Sequence, residues 1–308
     1  MLSGYLQDYD GGGAPAVTLH DVSRRWDEIC LAFAEVETDG RVQVRDRVVS
    51  GGRSSLEDAV RLRRALGQSV SISIGGAHAT FAIPIGAAAA NFTASVVELT
   101  DRLGIDALDF NLEGGIDLST MAARRAMVAL VSDIAKRRPL RMTFTPEWPS
   151  IQGGWTRISE TQGSQLWIVD ALRDILSCLR IQYFNNRPIE TPFGRTGVKT
   201  SMADAIVSGS RMLLEGFSFA DPRFGWFRGF SSHQIGVVLP AAPAVASLGY
   251  LEPSAVAGTM ERLSALLGTP VGELQIALWS INWDVQGGQT FSDALVRTRS
   301  SSVDESEY

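Results

Sequence analysis

Three polar residues at alternate positions mark the segment of this sequence that is best suited to chemistry. The segment DALDFNLEGG, residues 106–115, contains Asp109, Asn111 and Glu113, separated by single apolar residues. Alternate side chains of a β-strand share one face, so these three would point the same way. Burying three polar groups is costly unless they hydrogen-bond one another, and such clusters often mark a functional site. A carboxyl group in this setting is suited to general acid–base catalysis.

Glu113 is the carboxyl group that we expect to do this work. It is predicted to be the last residue of its strand, and Gly114 and Gly115 follow it. In barrels of parallel strands, catalytic groups lie at the carboxyl ends of the strands. The alternative interpretation of this segment alone is a polar strand end that is exposed to solvent.

The elements that must position Glu113 alternate along the chain. Short apolar runs, typical of strands buried on both faces, are separated by longer amphipathic stretches with helix-capping residues. The predicted strands are Leu2–Gln7, Ile29–Glu37, Ser69–Ile74, Ala107–Leu112, Arg141–Thr145, Cys178–Tyr183, Ile235–Leu239 and Gln275–Ile281. The predicted helices are Ser55–Leu66, Asn91–Leu103, Ser119–Arg137, Ser164–Ile175 and Pro253–Leu267.

Eight strands separated by helices predict a parallel sheet, and 308 residues favour a closed barrel. The predicted fold is therefore an α/β protein, a single (β/α)₈ TIM barrel over residues 1–300 with a polar tail at residues 301–308. Residues 186–229 are predicted to form a helix followed by an elaborated loop.

Composition and charge exclude several other classes of protein. The net charge of −6 argues against nucleic acids and anionic membranes as partners. The three histidines have no metal-ligand spacing, so we expect neither a metal site nor an organic cofactor. Cys30 and Cys178 each lie in an apolar stretch, which favours two buried thiols over a disulfide.

The first residues and the hydropathy pattern bear on location. The start MLSGYLQDYDGGG lacks a basic region followed by an apolar one, which a secretory signal would need. No apolar run reaches the length of a membrane span. We therefore expect a cytoplasmic protein as the sequence is written, and a secreted one if a leader was removed.

Six ordered segments resemble the family 18 chitinases. That family has D-x-x-D-x-D-x-E on the fourth barrel strand, and this chain has Asp106, Asp109, Asn111 and Glu113 at those places. The family's S-x-G-G on the third strand corresponds to residues 73–76. The remaining similar segments are MTFTPEWPSIQGG (142–154), IQYFNN (181–186), VVLPAAPAVASLGY (237–250) and LWSINWD (278–284).

The resemblance implies a hydrolase that cleaves β-1,4 linkages between N-acetylglucosamine residues with retention, assisted by the substrate's own acetamido group. It implies that Glu113 is the acid and then the base. By position, the other catalytic residues are Asp109, Asn111 and Tyr183, and Tyr183 would hydrogen-bond the acetamido oxygen. Trp279 would lie under the sugar ring. The substrate-binding residues assigned by position are Trp279, Gln182, Asn185, Glu147, Ser73, Gly76 and Tyr5.

Asn111 departs from the family pattern, which has an aspartate there. Asparagine can still accept a hydrogen bond from the acetamido N–H through its carbonyl oxygen, but it has no negative charge. Without that charge, Glu113 must depend on burial to stay protonated near neutral pH.

Two other functions stay open from the sequence. In the first of these alternatives, the barrel acts on a small molecule, and Glu113 is the acid or base for a step such as a cyclisation. In the other it would be a sugar-binding protein without activity. Trp148, Trp155 and Trp226 fit either a set of sugar-stacking platforms or an apolar pocket, and packing explains each of them equally well.

Overall fold

A computed structural model describes residues 1–8, 13–45, 52–156, 163–186, 189–196, 201–246 and 248–304. The strands are β1 (Leu2–Gln7), β2 (Glu28–Val36), β3 (Val42–Gln43), β4 (Ser69–Gly75), β5 (Ala107–Asn111), β6 (Arg141–Phe144), β7 (Leu176–Gln182), β8 (Ile189–Thr191), β9 (Gly194–Thr196), β10 (Phe217–Ser218), β11 (Trp226–Phe227), β12 (Ile235–Pro240) and β13 (Gln275–Trp279).

Eight of these strands close into a parallel barrel. Their order is β1-β2-β4-β5-β6-β7-β12-β13, and β13 pairs again with β1. Every neighbouring pair within this ring is parallel, which requires a crossover between successive strands. The predicted (β/α)₈ barrel is confirmed.

Helices cover the outside of the barrel. They are α1 (Leu56–Ala65), α2 (Gly86–Leu103), α3 (Met121–Arg137), α4 (Pro149–Thr156), α5 (Ser164–Ala171), α6 (Met202–Glu215), α7 (Val256–Leu267), α8 (Ile281–Gln286) and α9 (Thr290–Asp304). Several begin at a side-chain cap, as at Ser55 before α1 and Thr120 before α3. None of the described helices is long and apolar enough to cross a membrane.

Short elements extend the connections between strands. β3 pairs antiparallel with β2, and two small hairpins, β8–β9 and β10–β11, flank α6. The region predicted as a helix and a loop therefore also contains two hairpins. Short 3₁₀ turns lie at Leu19–Asp21, Pro222–Phe224, Ser232–Gln234, Pro243–Val245, Pro253–Ala255 and Val271–Glu273.

Several predicted boundaries were wrong for identifiable reasons. β13 ends at Trp279 because the Ser280 hydroxyl caps the next helix, where it accepts from the Trp283 N–H. α2 begins at Gly86 rather than Asn91 because the intervening alanines favour a helix. α9 continues to Asp304 and so includes the first four residues of the predicted tail, while residues 305–308 lie outside the described residues.

A buried ion pair fills the end of the barrel where the strands begin. Arg180 on β7 donates to the Glu28 carboxylate on β2 at 2.7 Å, and both side chains are almost fully buried. The Ser3 hydroxyl donates to the same carboxylate at 2.8 Å. Burial alone would raise the pKa of Glu28, but the charges of Arg180 and Arg141 outweigh it and the pKa is lowered.

Both cysteines lie in the interior as free thiols. Cys30 is on β2 and Cys178 on β7, and each is buried. The prediction of two buried thiols is confirmed.

We expect Arg180→Met to lower the free energy of unfolding by about 3–5 kcal/mol, because it leaves the Glu28 charge buried without its main partner. The double variant Glu28→Gln/Arg180→Met should recover part of this loss. Arg137→Met is the matched control, since it breaks the exposed Arg137–Asp133 pair and should cost less than about 1 kcal/mol. Denaturant titration measures all three, and equal losses for the two arginine variants would contradict the prediction.

Candidate functional site

A buried carboxylate organises the polar residues at the upper half of the barrel lumen. Asp109 on β5 accepts hydrogen bonds from Ser73 Oγ at 2.6 Å and from Thr143 Oγ1 at 2.6 Å. It also accepts from Thr145 Oγ1 at 2.7 Å and from Tyr5 Oη at 3.1 Å. These hydroxyl groups come from β1, β4 and β6 or its end, so one carboxylate joins several strands. The polar face of the segment around Asp109 therefore points into the lumen, as predicted.

Asn111 and Gln182 meet above this carboxylate. Gln182 Nε2 donates to Asn111 Oδ1 at 3.3 Å and to the Thr145 carbonyl oxygen at 3.0 Å. Glu147 lies beside Gln182, with which it forms a single β-bridge. The structure thus brings Asn111, Gln182 and Glu147 together around Glu113, as the resemblance implied.

Glu113 lies at the carboxyl edge of the barrel but two residues beyond the end of β5. The strand ends at Asn111, and the Glu113 N–H donates to the Asn111 carbonyl oxygen at 3.1 Å. The prediction that Glu113 is the last residue of the strand was wrong, because the chain leaves the sheet before the glycines that follow. Glu113 is partly buried.

The pKa of Glu113 is raised to about 7. Burial is the main cause, and the nearby Glu147 carboxyl adds to it, while hydrogen bonds with Asn111 and Gln182 act in the opposite direction. Burial also raises the pKa of Glu147. Glu113 is therefore suited to donate and accept a proton near neutral pH.

Aromatic rings pack around Trp279 at the carboxyl end of β13. Trp279 is the last residue of β13, and its ring lies 5.6 Å from that of Tyr5 and 5.4 Å, stacked, from that of Phe33. Phe33 occupies a bulge in the pairing of β2 with β4. The Ala32–Phe33 and Trp279–Ser280 peptide bonds are both cis.

The glycine pair after β4 allows close packing at this edge. Gly75 and Gly76 have φ values of +121° and +93°, which side chains rarely adopt. A Cβ atom at position 75 would collide with the carbonyl oxygen of Asn111, and one at position 76 with the ring of Phe33. Gly76 also donates its backbone N–H to the Asn111 carbonyl oxygen at 2.8 Å, and its assignment to substrate binding stays a prediction.

Tyr183 does not face the lumen, which corrects its assignment as a catalytic residue. Its ring packs on Trp148 with centroids 5.2 Å apart, and a Cβ atom on Gly209 of α6 would lie 2.6 Å from its hydroxyl oxygen. Because side chains alternate, Gln182 points inward, Tyr183 points toward the helices, and Phe184 points inward again. Strict application of this alternation to the sequence identifies Phe184 as the inward residue.

Phe184 is buried in a cluster inside the barrel. Its partners in this cluster include Tyr5, Cys30 and Val238, with Trp279 packed against them. Sequence reasoning missed Phe184 because the resemblance directed attention to the tyrosine beside it.

The remaining candidates lie in different places. Asn185 is exposed after β7, with φ of +57°, and its amide donates to the Val245 carbonyl oxygen at 3.1 Å. Trp148 is buried and Trp155 packs against the core, so neither ring offers a free sugar platform. Trp226 is 55% exposed, but it lies on the hairpin that leads into the start of β12, away from the carboxyl edge. No cluster of metal-binding side chains occurs among the residues that the structure describes.

Comparisons with known proteins agree with this geometry. A scan against protein-family models finds no match. Exochitinase 1 of Streptomyces olivaceoviridis is 29% identical over 94% of this chain and 54% of its own length. Chitinase D of Niallia circulans is 26% identical over 95% of this chain and 60% of its own length. The chain thus spans little more than half of these relatives.

A solved structure gives a likeness in both fold and sequence. The family GH18 chitinase of Chromobacterium violaceum superposes with a TM-score of 0.87 and 29% identity, over 97% of this chain and 83% of the other. In both fold and sequence this chain is similar to the chitinases of glycoside hydrolase family 18. The resemblance found from the six sequence segments is therefore confirmed at the level of the family.

The pKa of Glu113 should depend on Glu147. In Glu147→Gln the negative charge that raises this pKa is removed, so the Glu113 midpoint should fall below its wild-type value of about 7. The side-chain carboxyl ¹³C shift of Glu113, followed against pH, measures the midpoint directly. Asp106→Asn is the control, because Asp106 lies before β5 at the opposite end of the barrel and should leave the midpoint unchanged. An unchanged midpoint in Glu147→Gln would refute the coupling.

Proposed function

We propose that this protein is a glycoside hydrolase of the chitinase type that cleaves β-1,4 N-acetylglucosamine linkages with retention. The observation that carries the proposal is the position of Glu113 at the carboxyl edge of the barrel, beside Asn111, Gln182 and Glu147, where burial and the Glu147 charge raise its pKa to about 7. A carboxyl group that is partly protonated at neutral pH can act as an acid in one step and as a base in the next.

In the proposed reaction Glu113 protonates the oxygen of the leaving sugar. The acetamido oxygen of the substrate attacks the anomeric carbon, so that no protein nucleophile is needed. Glu113, now ionised, then takes a proton from the water that opens the cyclic intermediate. Trp279 would support the reacting sugar, and Asp109 would hold the surrounding hydroxyl groups in place.

Asn111 is expected to slow this reaction rather than prevent it. Its amide oxygen is a neutral acceptor, and a hydrogen bond to a neutral group is weaker than one to a charge by roughly 1–2 kcal/mol. That difference corresponds to a rate lower by about 5- to 30-fold.

Asn111→Asp should therefore raise kcat by about 5- to 30-fold on a chito-oligosaccharide. It should also raise the pKa of Glu113, because a negative charge replaces a side chain whose hydrogen bond lowers that pKa. The loss of activity at high pH would then move to a still higher pH. A pH–rate profile of both proteins measures the two effects, and a variant slower than wild type would contradict the expected gain.

Glu113→Gln should abolish cleavage of soluble chito-oligosaccharides, with a loss of at least about 10²-fold, because the amide cannot donate and recover a proton. Mass spectrometry of the products measures the cleavage. Glu98→Gln, an exposed substitution on the outer helix α2, is the matched control and should keep wild-type activity. Absence of cleavage by the wild type after long incubation would reject the chitinase proposal.

A second function is favoured by Phe184. Substrate assistance was expected to include a tyrosine hydroxyl, whereas the inward position of this strand end carries a phenyl ring in an apolar cluster. Together with the uncharged Asn111, this supports acid–base catalysis by Glu113 on a less polar small molecule, such as a cyclisation. Retention of the Glu113 proton-transfer group argues against a purely sugar-binding role.

A further inference from the structure

A groove of about 900 Å³ opens at one side of the candidate site. Its first wall is formed by β2 and the residues after it, and its second wall by residues 77–85 between β4 and α2 together with Ala88 in the first turn of α2. It begins at Phe33, which stacks on Trp279, and at Gly75, which pairs with Asn111. This side groove therefore borders the candidate site through the neighbours of Trp279 and Asn111.

The second wall is mostly apolar, with His78 and Thr80 as its polar members. Its larger apolar side chains are Phe81, Ile83 and Ile85, with alanines between them. Ile85 is 73% exposed, the largest exposed fraction of any large hydrophobic side chain in the described part of the chain. A row of apolar groups along a concave surface is typical of a ligand-binding groove.

The lining of the side groove does not suit a row of sugars. Pyranose rings pack on flat aromatic faces, but among the described lining residues there is neither a tryptophan nor a tyrosine. The Phe33 ring is packed between Gly76 and Trp279, which leaves Phe81 as the other aromatic lining residue. Alanine and isoleucine side chains instead complement an alkyl chain, which needs no hydrogen-bond partner.

We propose that the substrate carries an alkyl or acyl chain that lies in the side groove while its reacting bond lies at Glu113. The proposal rests on the proposed function in one respect, the placing of the reaction at Glu113. It adds the substrate class, an amphiphile with a polar amino-sugar head and an apolar tail.

The charges of the groove indicate how the chain is attached. Among the described lining residues, three carboxyl groups, those of Asp8, Glu35 and Glu37, accompany one arginine, Arg45, which pairs with Glu35. A free fatty acid would bring a further negative charge to this wall. A neutral amide or ether link to the chain avoids that repulsion.

Isothermal titration calorimetry on the Glu113→Gln variant tests the proposal with alkyl β-N-acetylglucosaminides from methyl to octyl, below their micelle concentrations. We expect affinity to rise about two- to fourfold for each added methylene, as burial of a CH₂ group predicts. The heat-capacity change of binding should become more negative along the series. Octanoate should bind more weakly than the octyl glycoside.

Ile85→Asp should remove the dependence of affinity on chain length, because it places a charge on the apolar wall. Leu62→Asp is the matched control, since Leu62 is an exposed aliphatic residue on α1 outside the groove and the dependence should persist. If the dependence of affinity on alkyl length persists in Ile85→Asp, the alkyl chain binds outside the side groove and the proposal is overturned.

The remaining outcomes are equally decisive. Affinity that does not change with alkyl length, no binding by any member of the series, or affinity that grows only with the number of sugars would each overturn the proposal. Because binding is measured on the inactive variant, failure of the wild type to cleave chito-oligosaccharides leaves this result unaffected. Cleavage without any effect of chain length would preserve the proposed function and reject the side-groove ligand.

Discussion

Alternation of side chains along closed parallel strands is the constraint on which this structure depends. In a barrel, one face of every strand must pack under the helices and the other must fill the lumen. Here the lumen holds an apolar cluster around Phe184 beside hydrogen-bonded polar groups, namely the Arg180–Glu28 ion pair where the strands begin and Asp109 with its hydroxyl donors above it. Side chains at the carboxyl edge of the barrel therefore rest on packed and hydrogen-bonded groups in the lumen. Such packing can hold a catalytic carboxyl group in position.

The properties of Glu113 follow from this support. A carboxyl group at an exposed strand end would ionise as it does in water, whereas burial and the nearby Glu147 carboxyl raise the pKa of Glu113 to about 7. The neutral Asn111 adds no charge of its own to that effect. Burial thus raises the pKa of Glu113 at a site where the negative charge of a neighbouring aspartate would otherwise raise it.

The fold and most of the site could be predicted from the sequence because both depend on local periodicity. Asp109 and Asn111 were placed on the inward face by alternation alone, and the barrel followed from eight apolar runs. The assignment of Tyr183 as a catalytic residue was wrong because it followed the similarity of one segment to the family. The alternation of side chains along the strand instead points Phe184 inward. The end of β5 before Glu113 and the bulge at Phe33 depend on contacts between distant segments, and the side groove is formed by two such segments, so the sequence could not reveal them.

The glycine at position 75 restricts how this barrel can diversify. Every other amino acid would drive its Cβ atom into the backbone of Asn111, so that point of the rim is closed to variation in side chains. Two residues later, the connection to α2 carries mostly small and apolar side chains that line the side groove and belong to no strand. New substrate preferences in related proteins should therefore arise from that connection, while the reacting centre beside it stays nearly fixed.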